Sequence, residues 1–161
     1  MDASQIPETL ADLTRFIETR YHATHRAQLP LLADRSELVE TIHAGQPDVP
    51  VGLAALLRRM LGELEVHMKK EELILFPAIR NAAVGLDPPI AAMRADHDDH
   101  NADIEKIHGL TRDLTLPDGA CRSWTQLYAD LGVFLDDLRE HIRLENDILF
   151  PPFETGDPHH V

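Results

Sequence analysis

The 161-residue chain holds a single cysteine, Cys121, so it can form no intrachain disulfide, CxxC redox pair or thiolate zinc site. Aromatic residues are few, and no apolar run approaches the ~18 residues of a membrane span. The N-terminus, MDASQIPETLADLTRF, lacks the basic start and apolar stretch of a secretory signal, which predicts a cytoplasmic location. Positive charge is scarce: 15 Lys and Arg against 28 Asp and Glu leave a net charge of −13. Such a surface repels phosphate backbones and anionic headgroups, arguing against nucleic acid and membrane as partners. The prolines and glycines are too dispersed for a low-complexity chain, and 43% apolar residues suffice for one packed domain over residues 1–161. Histidine is what the chain has in excess, with ten residues.

Proline and glycine gather at 45–50, 85–89 and 117–119, and the stretches between have an apolar period of three to four residues. Leu53, Leu56, Leu57, Met60, Leu64, His67, Met68 and Glu71 share one face, as do Trp124, Leu127, Leu131, Phe134, Leu138, His141 and Glu145. The spacing predicts helices at about 7–43, 50–82, 88–115 and 120–153, the first kinked or broken at Pro30, and no strand. Short loops between long amphipathic helices predict an all-α, antiparallel, up-down-up-down four-helix bundle.

The chain repeats itself. His67-Met-Lys-Lys-Glu71 and His141-Ile-Arg-Leu-Glu145 both read H-x3-E-x2-I-L-F-P, 74 residues apart, and His22-Ala-Thr-His25 matches His97-Asp-Asp-His100 as H-x2-H, 75 apart. Histidine and glutamate at i and i+4 stand above one another on a helix face, so each pair reaches one point. Both pairs lie in the apolar stripe, where an uncompensated carboxylate costs several kcal/mol and requires a partner or a metal. Folding the helices back at their loops brings His22, His67, Glu71, His97, His141 and Glu145 to one level of the bundle. Four imidazoles and two carboxylates on four helices suit a dinuclear site, with non-haem iron favoured and manganese or adventitious zinc as alternatives. Two histidines and shared glutamates per metal leave positions open for oxo, water or a diatomic ligand.

The remaining polar groups are read individually. His25 and His100, one turn from His22 and His97, are expected to support the ligands or to replace their neighbours. His43 lies too far along a continuous helix to join unless the break at Pro30 folds the chain back. His108 is expected at the surface, His159 and His160 in a solvated tail, and Arg58-Arg59 and Lys69-Lys70 in water. Glu63 and Asp137, one turn before His67 and His141, are candidates to orient the outer ring nitrogens of those histidines.

With these residues placed, the chain resembles the hemerythrin-like (HHE) domains, specifically the repair-of-iron-centres family of di-iron proteins. The resemblance covers nearly the whole chain and rests on Tyr21-His22-Ala-Thr-His25-Arg26-Ala-Gln-Leu-Pro30, His67-x3-Glu71-Glu-x-Ile-Leu-Phe-Pro77, Met93-x3-His97-Asp98 and His141-x2-Leu144-Glu145-Asn146-x2-Leu149-Phe150-Pro151. It implies two non-haem iron ions per chain, oxo- or hydroxo-bridged, with His22, His67, His97 and His141 as terminal ligands and Glu71 and Glu145 as bridges. It also implies a role in nitrosative and oxidative stress. That role would be repair of iron–sulfur clusters by iron donation to apo proteins, nitric oxide binding and reduction, or both. Hemerythrin-type oxygen carriage or sensing is the alternative, weakened because Asn101 stands where oxygen carriers have a second histidine of an H-x3-H pair. Relatives in the repair family also carry an N-terminal module with adjacent cysteines; this sequence begins at the bundle. Ferritin-like oxidation fits less well, since those bundles use E-x2-H.

Overall fold

Local signals set the ends of the helices. In the computed structural model, which describes residues 6–155, α1 runs over 10–42, α2 over 53–80, α3 over Asp87–Thr111 and α4 over 122–149, followed by a 3-10 turn at Pro151–Phe153. Thr9 caps α1 by accepting the Asp12 N–H, and the Cys121 sulfur accepts the Trp124 N–H at the start of α4. Helix α3 stops at Thr111 rather than near 115 because Arg112, Asp113 and Leu114 all take left-handed backbone angles. The Thr111 hydroxyl accepts the Leu114 N–H at 3.0 Å and closes that turn. No strand occurs among the described residues. The four helices form the antiparallel bundle that the periodicity predicts.

Helix α1 is not broken at Pro30, which lies inside the Ala23–Ile42 segment. Pro30 is exposed, so the carbonyl one turn back that loses its donor faces water and costs little. The irregularity falls elsewhere, in π-helical turns at Glu18–His22 in α1, Glu71–Leu75 in α2 and Leu144–Leu149 in α4. Such turns shift the side-chain phase, and they concentrate at functional sites. The second and third are equivalents in the sequence repeat, and all three contain or begin at a predicted ligand.

The core is in two parts. One contains Leu29, Leu57, Leu64, Ile104, Trp124, Leu131, Phe134 and Leu138; the other contains Ile17, Tyr21, Phe76, Ile90, Met93, Leu144 and Phe150. Along every helix the histidine and glutamate motifs fall between these groups, so a polar layer crosses the bundle with apolar packing on both sides. A buried Leu, Ile or Phe contributes roughly 1.5–3 kcal/mol, so the two cores offset the cost of placing two carboxylates inside, on the order of several kcal/mol each.

Candidate metal centre

His22, His67, Glu71, His97, His141 and Glu145 are all buried and all in the polar layer. They form two groups. His22, Glu71, His141 and Glu145 each offer a ligand atom within 4.8 Å of the others, and so do His67, Glu71, His97 and Glu145. Glu71 and Glu145 belong to both. His22 Nε2 lies 3.0 Å from one Glu71 oxygen, and His67 Nε2 lies 3.4 Å from the other. Glu145 places its two oxygens 2.7 Å from His141 Nε2 and 2.9 Å from His97 Nε2. Two carboxylates thus lie between two pairs of imidazoles.

Each imidazole is held from outside through its other nitrogen. Nδ1 of His22 donates to Glu72 at 2.7 Å, that of His67 to Asp96 at 2.9 Å and that of His97 to Asn146 at 2.7 Å. His141 Nδ1 lies 3.0 Å from His25 Nε2, and His25 continues through Gln28 to Asp137. Each of these four histidines therefore presents its Nε2 inward, with the tautomer set from outside. Arg26 secures Glu72 by pairing with it and with Glu65.

These partners correct the reading from sequence. Glu63 pairs with Arg59 rather than His67, and Asp137 binds Arg20 and Gln28, reaching His141 only through two intermediaries. Arg58 and Arg59 are exposed, as expected, and are also paired: Arg58 bridges to Asp34 and Glu37, and Arg59 reaches buried Asp103 at 2.8 Å. His108 is half-buried between Arg139 and Asp113. His25 supports His141, and neither it nor His100 enters the two groups. His43 lies apart, against Cys121 and Gln46. His159 and His160 fall outside the described residues. Glu72, Asp96 and Asn146 carry no signal from spacing to a distant histidine. The repeat does contain a clue, since Glu72 and Asn146 each follow a repeated glutamate, 74 residues apart.

A metal fits the electrostatics of this layer. His67 Nε2, His97 Nε2, Glu71 Oε2 and Glu145 Oε1 are buried, converge on one point and make no hydrogen bond. Orphaned buried polar atoms are costly, and four in one place are those a cation would satisfy. Burial, then the charge of Glu145, pushes the Glu71 carboxyl well above its usual range. Burial also acts on Glu145, but His141, Glu71 and His97 prevail and hold it well below. Burial lowers His22 to about 4, so its imidazole is neutral and able to ligate. Nitrogen and oxygen donors without sulfur suit iron or manganese. From the surface, a cleft of about 640 Å³ between α2 and α3 has His67, Asp96 and His100 in its walls. Asn101 is exposed and adds nothing to the layer.

Residues 17–153 match the family model of the hemerythrin HHE cation binding domain. The chain is also similar to proteins named iron-sulfur cluster repair protein YtfE. Those of Yersinia pseudotuberculosis serotype IB (strain PB1/+), Yersinia pseudotuberculosis serotype O:1b (strain IP 31758) and Yersinia pestis (strain Pestoides F) are each 46% identical over 151 residues. Those residues are 93% of this chain and 68% of each relative. No described helix is long and apolar enough to cross a membrane.

Proposed function

The chain belongs to the hemerythrin HHE cation-binding family, and from that premise we propose that it is a di-iron protein acting in the repair of iron–sulfur clusters under nitrosative and oxidative stress. The observation that carries the reading is the pair of buried groups sharing Glu71 and Glu145, with four ligand atoms left unsatisfied. His22 and His141 would hold one ion, His67 and His97 the other, and the two glutamates would bridge them. Iron held there would supply exchangeable positions and reducing equivalents. The chain's own residues do the rest: Glu72, Asp96, Asn146 and His25 fix the imidazoles, and the flanking apolar cores limit water to the cleft side.

The relatives are named for the repair of iron–sulfur clusters, and the form of repair proposed for this chain is donation of iron to apo iron–sulfur proteins. Nitric oxide binding and reduction is the second reading, favoured by the cleft that brings a small ligand to His67. Oxygen carriage is disfavoured because Asn101, at the position of the extra histidine, faces solvent. Anaerobic metal analysis, followed by addition of the reduced protein to an apo iron–sulfur protein or to nitric oxide, tests the proposal. Two irons per chain with reconstituted clusters support donation; nitrous oxide over several turnovers with iron retained supports reduction. Less than about one iron per chain, unchanged in His67→Ala and Glu145→Ala, would end the di-iron reading.

A further inference from the structure

The end of the bundle away from the histidine–glutamate layer holds a second group of reactive side chains. Cys121 sits at the N-terminus of α4, its sulfur accepting the Trp124 N–H at 3.4 Å. His43, where α1 ends, places Nε2 3.1 Å from that sulfur, and its Nδ1–H donates to Gln46 Oε1 at 2.8 Å. The imidazole is only 8% exposed and packs 4.8 Å from the Trp124 ring, so it is held in place. Cys121 is half-buried, packed against the edge of the core. Beside it a cleft of about 370 Å³ is walled by Gln46, Asp48, Asp118, Ala120 and Trp124. His43 lies 21 residues along α1 from His22, roughly 30 Å at ~1.5 Å per residue, so this group is separate from the metal layer.

A nucleophile, a base within hydrogen-bond reach and a third group orienting the base make up the arrangement of an activated thiol. The hydrogen bond to His43 lowers the Cys121 thiol below its ordinary range, and the same bond raises His43, which favours thiolate and imidazolium together. The helix N-terminus and the Trp124 N–H favour the anion further. Asp118 beside the cleft, on a chain of net charge −13, disfavours anionic disulfides as reactants and leaves small neutral oxidants.

We propose that Cys121, His43 and Gln46 form a peroxide-reactive thiol site, independent of the metal centre, at which hydrogen peroxide oxidises Cys121 to a sulfenic acid. The thiolate sulfur attacks one peroxide oxygen, so that an S–O bond forms and the O–O bond breaks. The departing hydroxide takes the Nε2 proton of the His43 imidazolium and leaves as water. Sulfur is oxidised by two electrons and peroxide is reduced by two. No second cysteine lies within these 161 residues, so return to the thiol would use a thiol from outside them.

The test treats the whole chain with hydrogen peroxide at pH 7, traps sulfenic acid with dimedone and quantifies it by mass spectrometry, against the same chain unfolded in urea. An unperturbed thiol is only about 3% ionised at pH 7. A lowered pKa, discounted for the weaker nucleophilicity of the resulting thiolate, gives at most about threefold faster trapping, and that is the gain expected in the folded chain. His43→Phe keeps a flat ring against Trp124 and is expected to fall to the unfolded rate with metal content unchanged, and Cys121→Ser should abolish the label. Trapping no faster in the folded than the unfolded chain overturns the proposal, whether or not His43→Phe folds. So does a folded His43→Phe protein that reacts like the wild type, or a rate that disappears when a chelator strips the metal.

Discussion

Each of the four histidines of the polar layer is fixed through Nδ1 and turns Nε2 inward, and the two glutamates between them carry unequal proton affinities. Without metal, Glu71 is held toward its protonated form by burial and by Glu145, whose own charge is held by the surrounding imidazoles. A carboxylate pair buried this way costs stability until a cation arrives. Glu71→Gln should therefore raise the thermal midpoint of the metal-free protein while lowering bound iron from two ions per chain to one or none. Calorimetry and elemental analysis would check the opposite signs; a fall in both would show the carboxylate to be structural. Asp96→Asn keeps the hydrogen-bond geometry to His67 but removes its charge. We expect metal affinity to weaken by about 10–100-fold, measured by chelator competition, as outer partners of metal-bound histidines generally do.

At the level of the helices, α2 and α3 are tied across the cleft by Arg59, whose guanidinium reaches Asp103, a carboxylate only 3% exposed. Lys106, 3.8 Å from the same carboxylate, is a weaker substitute on α3 itself. Arg59→Ala leaves a buried acid without its main partner, which should cost about 1–3 kcal/mol. Asp103→Asn, which removes the charge along with the need for a partner, should cost less. Urea unfolding of both variants decides it; equal effects would mean that the pair acts through packing alone. The π turns matter at the same scale. Those at Glu71–Leu75 and Leu144–Leu149 occupy equivalent positions, so both hairpins change helical phase at the repeated glutamate.

For the molecule as a whole, the histidines make stability depend on pH. Burial lowers His22 to about 4, His25 to about 2 and His100 to about 3, against 6.5 for an unperturbed imidazole. As pH falls through 6.5 the unfolded chain takes up protons that the folded metal-free chain refuses. The stability these groups contribute is therefore present above 6.5 and lost toward pH 4, at about 1.4 kcal/mol per pH unit for each histidine. The urea midpoint of the metal-free protein should be nearly level from pH 8 to 7 and fall steeply from 6.5 to 4.5. A level midpoint down to pH 5 would show that these imidazoles are solvated or already charged in the folded state.

The periodicity of Leu53 to Glu71 and of Trp124 to Glu145 was enough, by itself, to determine four antiparallel helices, because an apolar stripe at helical spacing can be buried in few other ways. The doubled H-x3-E and H-x2-H determined which six residues share a level, since spacing along a helix converts directly into height. Height says nothing about rotation about the helix axis or about contacts between helices. Only the packed bundle decided that Asp96 rather than Glu63 holds His67, that His25 stands between His141 and Gln28, and that α1 passes through Pro30 intact. It alone brought His43 to Cys121 across 78 positions of sequence. Those outcomes depend on helix phase, shifted by the π turns, and on which loops meet at the ends, quantities to which no local pattern of residues is sensitive.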